Sequence, residues 1–246
     1  MAEKIALTAA DGTEFGVAVA RPDGPPRAGL VLIHEIWGLV PHIVDVAERY
    51  AAEGYLVAAP DLLSHGGLEP LLGAELHALM SSPDEETRLA AQPRLREALA
   101  GIRVPEYAEW AVSALRATVD WLAAQPGVEG RIGVTGFCFG GTYSFLLAAS
   151  DDRVRAVAPF YGTAPEPKRI ASIHAPVLAL YGEDDPALID ALPGVRDAMA
   201  AAGVDFEDVV YEGAGHAFFN DTGSRYDADA AADAWRRVQE FLAARL

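Results

Sequence analysis

Short apolar runs that do not alternate recur along this chain, each followed by a stretch with helical spacing, and that rhythm limits the fold more than any other feature. Leu30-Val31-Leu32-Ile33 is continuous rather than alternating, as expected of a strand covered on both faces. Ile43, Val46, Ala47, Tyr50 and Ala51 follow at the spacing of one helix face, and Gly54 stands where a left-handed cap would end that helix. The same alternation predicts strands at 55–59, 131–135, 154–159, 176–181 and 205–211. It predicts helices at 106–124, directly after Cys138, at 193–202 and at 228–246. A mainly parallel sheet with helices on both faces follows. At the start, 4–7 and 15–19 flank Asp11-Gly12, a dipeptide suited to a tight turn, and read as a hairpin. Residues 61–104 are less regular, helical in pieces such as 84–99, and are expected to form a lid or flap. No linker, repeat or low-complexity tract divides residues 1–246, so one domain is expected.

Composition narrows the function classes. Of 246 residues, 51% are hydrophobic, enough for a substantial core without metals or disulfides. A net charge of -17 repels phosphate backbones and anionic lipid, which disfavours nucleic acid and membrane surfaces as partners. No apolar run approaches the roughly 18 residues that cross a bilayer. Met1-Ala2-Glu3-Lys4 does not begin a basic and then apolar leader, so a cytoplasmic protein is expected, a monomer or small homo-oligomer. The single cysteine, Cys138, excludes an internal disulfide and a multi-cysteine metal site.

In a parallel sheet the loops leaving the carboxyl ends of the strands converge on the ligand crevice. Gly136-Phe137-Cys138-Phe139-Gly140-Gly141 lies at such an end and has the form of a nucleophile elbow with cysteine in place of serine. Glycines on either side let a tight strand-to-helix turn form without clashes, and the helix N-terminus is expected to favour thiolate over thiol. A buried cysteine beside a glycine-rich turn is the plainer alternative. His216, in Gly213-Ala214-Gly215-His216, follows the last predicted strand, and Asp185 of Gly182-Glu183-Asp184-Asp185 follows the one before it. Nucleophile, acid, histidine is the chain order of the α/β-hydrolase fold, and the Gly-x-x-Asp spacing selects Asp185 over Asp184. His34-Glu35-Ile36-Trp37-Gly38 begins like a zinc motif, but Gly38 occupies the second histidine position and no metal is expected. The backbone N–H of Ile36 with that of Phe139 would make a two-donor oxyanion hole, and Glu35 would aim a carboxylate into the same crevice.

Together these four segments resemble the dienelactone hydrolase family of α/β-hydrolases across nearly the whole chain. The resemblance implies a triad of Cys138, Asp185 and His216 acting on a small-molecule ester or lactone through a thioester. It also implies that Glu35 accepts the thiol proton when substrate enters, and that no cofactor is needed. Family members that open dienelactones carry an arginine four residues beyond the triad histidine; here that residue is Asn220. A second arginine is expected from the lid, where Arg88, Arg94 and Arg96 are available. Trp37, Phe218 and Phe219 would wall an apolar pocket. His42, His65 and His174 read as surface or capping residues. A broader carboxylesterase or thioesterase remains an alternative, as does a non-catalytic redox sensor using Cys138.

Overall fold

Two faces of one strand show how the layers form. In the computed structural model, which describes residues 2–246, Ala28–Ile33 (β3) is wholly buried. Leu30 and Leu32 point into one apolar layer and Val31 and Ile33 into the other, as strand periodicity requires. The first layer is closed by Pro41–Ala52 (α1) and Ala228–Arg245 (α8), through residues such as Ile43, Tyr50, Val238 and Leu242. The second is closed by Pro105–Ala123 (α4), Phe139–Ala148 (α5) and Pro186–Ala202 (α7), through Leu115, Val119, Phe145 and Met199.

The remaining strands are Glu3–Thr8 (β1), Glu14–Ala20 (β2), Tyr55–Pro60 (β4), Ile132–Phe137 (β5), Val154–Phe160 (β6), Val177–Asp184 (β7) and Phe206–Gly215 (β8). They form one sheet in the order β1-β2-β4-β3-β5-β6-β7-β8. The β1–β2 hairpin is antiparallel, and β2 runs antiparallel to β4. Every other neighbouring pair is parallel, so β3, β5, β6, β7 and β8 deliver their carboxyl ends to the same edge. This is the α/β-hydrolase architecture expected from the sequence.

Of three helices to compare, two depart from the expectation and one meets it. Pro70–Met80 (α2) forms in a stretch where no specific helix is predicted. Glu85–Ala98 (α3) matches the predicted piece, and its N-cap Asp84 accepts from the Thr87 N–H at 3.0 Å. The third, α7, starts seven residues before the predicted 193, because Pro193 lies within the helix instead of opening it. A four-residue helix, Pro167–Ile170 (α6), completes the set. Among the described residues no helix is long and apolar enough to cross a membrane.

Candidate active site

Cys138 sits between β5 and α5 with φ 55° and ψ -110°, a conformation that strains an L residue and is typical of a side chain pushed out at a sharp turn. At positions 136 and 140 the turn tolerates nothing larger than glycine. A Cβ on Gly140 would overlap the Ile33 carbonyl oxygen, and one on Gly136 would overlap the carbonyl of Gly140. These close approaches seat the start of α5 against the end of β3, so Cys138 and the His34–Gly38 turn share one pocket.

That pocket has a volume of about 540 Å³ and is lined by Glu35, Ile36, Trp37, Cys138, His216 and Asn220 from the sheet side. His77, Met80, Arg88 and Leu95, from α2 and α3, form the opposite wall, so the irregular segment covers the crevice. His216, one residue past β8, holds Asp185 Oδ2 at 2.5 Å from its Nδ1. Asp185 directly follows β7 and precedes α7. The structure brings these two residues together, and a carboxylate at Nδ1 leaves Nε2 as the imidazole's free nitrogen.

Glu35 is almost wholly buried, at 2% exposure, and has two donors. Asn220 Nδ2 lies 2.6 Å from Oε2 and the Tyr161 hydroxyl 3.3 Å from Oε1. The amide orientation of Asn220 is fixed by its far side, where Oδ1 accepts from the N–H and the hydroxyl of Thr222 at 3.0 and 2.6 Å. Burial still dominates and raises the Glu35 carboxyl to about 7, with the Asn220 and Tyr161 hydrogen bonds pulling in the other direction. For Cys138 the expectation from the helix N-terminus is overturned. Burial, reinforced by the neighbouring Glu35 carboxylate, pushes the thiol up to about 12, and the Phe139 N–H only partly offsets this. The resting Cys138 side chain is therefore a thiol, not a thiolate.

The sequence profile of the dienelactone hydrolase family matches residues 15–246. The chain belongs to the dienelactone hydrolase family. It is 33% identical to a carboxymethylenebutenolidase candidate from Saccharolobus solfataricus, with 98% of each chain covered. A counterpart from Escherichia coli K12 is 32% identical over 91% of this chain and 80% of its own. The solved structure of a dienelactone hydrolase candidate from Klebsiella pneumoniae superimposes with a TM-score of 0.79 at 30% identity, covering 98% of this chain and 99% of that one. As a member of the dienelactone hydrolase family, the protein is a hydrolase of esters or lactones.

Within this dienelactone hydrolase family member, some sequence expectations need correction. Trp37 lines the pocket, tilted against His77 with ring centroids 5.1 Å apart, but Phe218 and Phe219 do not. Both are buried in the core, Phe218 against Tyr161 and Tyr211, Phe219 against Phe137. The turn after His216, with Ala217 at φ 68° and the Asn220 N–H donating to the Ala217 carbonyl, sends the two rings inward while His216 faces the pocket. His42 is buried rather than superficial, 3.2 Å from Asp221. His65 stacks on Trp110 at 3.7 Å.

Three pocket or site residues escape sequence reasoning: Tyr161, His77 and Arg225. Tyr161 directly follows β6 with φ 36°, and its position at a strand's carboxyl end was the available signal. His77 belongs to the unpredicted α2, and burial lowers its pKa. Arg225 lies nine residues beyond His216, lines the pocket, and is close enough to lower the Cys138 pKa slightly.

Proposed function

We propose that the protein cleaves a small ester or lactone through a covalent thioester on Cys138, with His216 and Asp185 completing a triad. The observation that carries this reading is the 2.5 Å His216–Asp185 contact in the same pocket as a strained elbow cysteine. A thiol raised to about 12 is a poor nucleophile, so it needs an acceptor for its proton. Glu35, with a carboxyl near 7 and in the same pocket, is ionised for a large fraction of the time at neutral pH.

As substrate enters, the thiol proton passes to Glu35 and the sulfur attacks the carbonyl carbon. The N–H groups of Ile36 and Phe139 hold the resulting oxyanion. Collapse breaks the bond to the ester oxygen, which takes up the proton held by Glu35, leaving the acyl group on sulfur. His216 Nε2 then removes a proton from water as the hydroxyl adds to the thioester. The imidazolium returns that proton to the departing sulfur, and the acid product is released.

The pocket favours substrates with an anionic substituent. Asn220 is a neutral amide whose Nδ2 donates to Glu35, so the positive charge that the family resemblance leads one to expect here must come from elsewhere in the pocket. Arg225 and Arg88 line the same pocket instead. Arg88 spends Nη1 on the Ser82 and Pro83 carbonyls at 2.7 and 2.9 Å, which fixes its guanidinium. A kinetic panel of carboxylate-bearing lactones, neutral lactones and p-nitrophenyl esters tests this reading. Turnover with burst kinetics, and an acyl adduct on Cys138 found by mass spectrometry, are expected; turnover that survives Cys138→Ala overturns it.

A further inference from the structure

His34 takes no part in the steps above, yet it is fully buried and makes contact with both halves of the proposed oxyanion hole. Its Nε2 lies 3.1 Å from the Leu62 N–H, which can only donate. Nε2 must therefore be the bare nitrogen, and the ring proton belongs on Nδ1. Nδ1 lies 2.7 Å from the Glu35 carbonyl oxygen, an atom that can only accept. Both contacts require the same neutral tautomer, and burial, which lowers the His34 pKa, keeps it neutral.

The Glu35 carbonyl also accepts from the Gly38 N–H at 3.1 Å, so the 35–36 peptide is held by two donors. In a trans peptide the N–H points opposite to the C=O. Pinning the Glu35 oxygen inward thus turns the Ile36 N–H outward, and among the described residues no acceptor takes it. The second half of the hole is Phe139, whose ring is stacked on the His34 imidazole at 5.6 Å and 6°.

We propose that His34 is the positioning residue of the oxyanion hole, fixing the Ile36 peptide through Nδ1 and bracing Phe139 through its ring face. This inference rests on the thioester reading above. It adds a residue that never meets substrate but sets the direction of a donor that does. Orientation matters here because such donors contribute only when aimed at the position where the oxyanion develops.

Two isosteric substitutions separate the two nitrogens. His34→Asn keeps a donor near the Nδ1 position and loses the Leu62 contact, whereas His34→Gln reaches the Nε2 position and loses the donor to Glu35. We expect His34→Gln to lower kcat by about tenfold to a hundredfold with KM within about threefold, and His34→Asn to retain most of kcat. Alkylation of Cys138 by iodoacetamide builds no oxyanion, so its rate should stay unchanged in both. If His34→Gln does not fold, Phe139→Leu removes the stacked ring and should lower kcat with the same unchanged alkylation. Equal kcat losses in the two His34 variants, a parallel fall in alkylation, or full activity in His34→Gln or in Phe139→Leu would overturn the proposal. Absence of ester turnover in the unsubstituted protein would instead count against the thioester reading itself.

Discussion

Asn220 Nδ2 donates to Glu35 Oε2 across 2.6 Å, joining residues 185 positions apart. The amide has nowhere else to turn, since Thr222 holds its oxygen. Its effect on Glu35 is to favour the ionised carboxylate and lower the pKa, against a larger upward push from burial. Removing that donor in Asn220→Ala should therefore raise the Glu35 pKa further above 7. If ionised Glu35 accepts the thiol proton, the ascending limb of the kcat/KM profile moves to higher pH in this variant. An unchanged midpoint would separate Glu35 from the limb.

Glu35 also links stability to pH. Its carboxyl is raised from 4.5 to about 7 on folding, so the folded state binds more protons than the unfolded state between those values. The cost is absent below about 4.5, grows as pH rises and levels off above about 7. Glu35→Gln removes this dependence. Its stability relative to the unsubstituted protein should improve as pH goes from 4 to 8, by at most about 3 kcal/mol. Urea denaturation at several pH values measures it. A difference that stays flat with pH would show that the buried carboxyl does not titrate in this window.

The pocket cation Arg225 should act on binding. Arg225→Ala is expected to raise KM for a carboxylate-bearing lactone about tenfold while leaving a neutral p-nitrophenyl ester within about twofold, since a paired charge serves only the charged substrate. The effect should shrink in high salt, because the pocket opens to solvent. Equal losses on both substrates would make Arg225 a structural residue of the loop.

Much of this site is readable in the residues because its chemistry sits on short, rigid pieces of backbone. A cysteine in a glycine-rich turn at a strand end has few ways to fold, and the order Cys138, Asp185, His216 maps onto the ends of β5, β7 and β8 in a parallel sheet. What could not be read depends on the long-range packing of irregular segments. Phe218 and Phe219 look like pocket residues from their distance to His216, but the positive φ at Ala217 reverses which side of the turn they occupy. Pro193 looks like a helix start because proline removes a donor, yet α7 passes through it. His77 and Tyr161 carry no local motif; only the covering of the crevice by α2 and the end of β6 against β7 bring them to the site. The thiol pKa is hidden from the sequence for a similar reason. A helix N-terminus is visible in a sequence, whereas the depth of the pocket and a carboxylate from 103 residues upstream are not.

The elbow's geometry makes its sharpest demand at Gly140. This residue lies in the first turn of α5, where alanine is ordinarily the better helix former by about 1 kcal/mol. Intrinsic propensity therefore predicts that Gly140→Ala stabilises the protein. The packing predicts the reverse, because the added Cβ would overlap the Ile33 carbonyl and crowd that of His34, both backbone atoms at the end of a central strand. Neither oxygen belongs to a flexible side chain, so relief requires α5 to move away from β3, and Cys138 would move with it. We expect Gly140→Ala to lose several kcal/mol of stability, within the range of severe overpacking, and to lose turnover even where it still folds. Gly194→Ala is the matched control, since its Cβ meets nothing within 4 Å in another helix. It should gain up to about 1 kcal/mol. Thermal unfolding of the two variants side by side decides whether helix preference or the closeness of α5 to β3 governs the elbow.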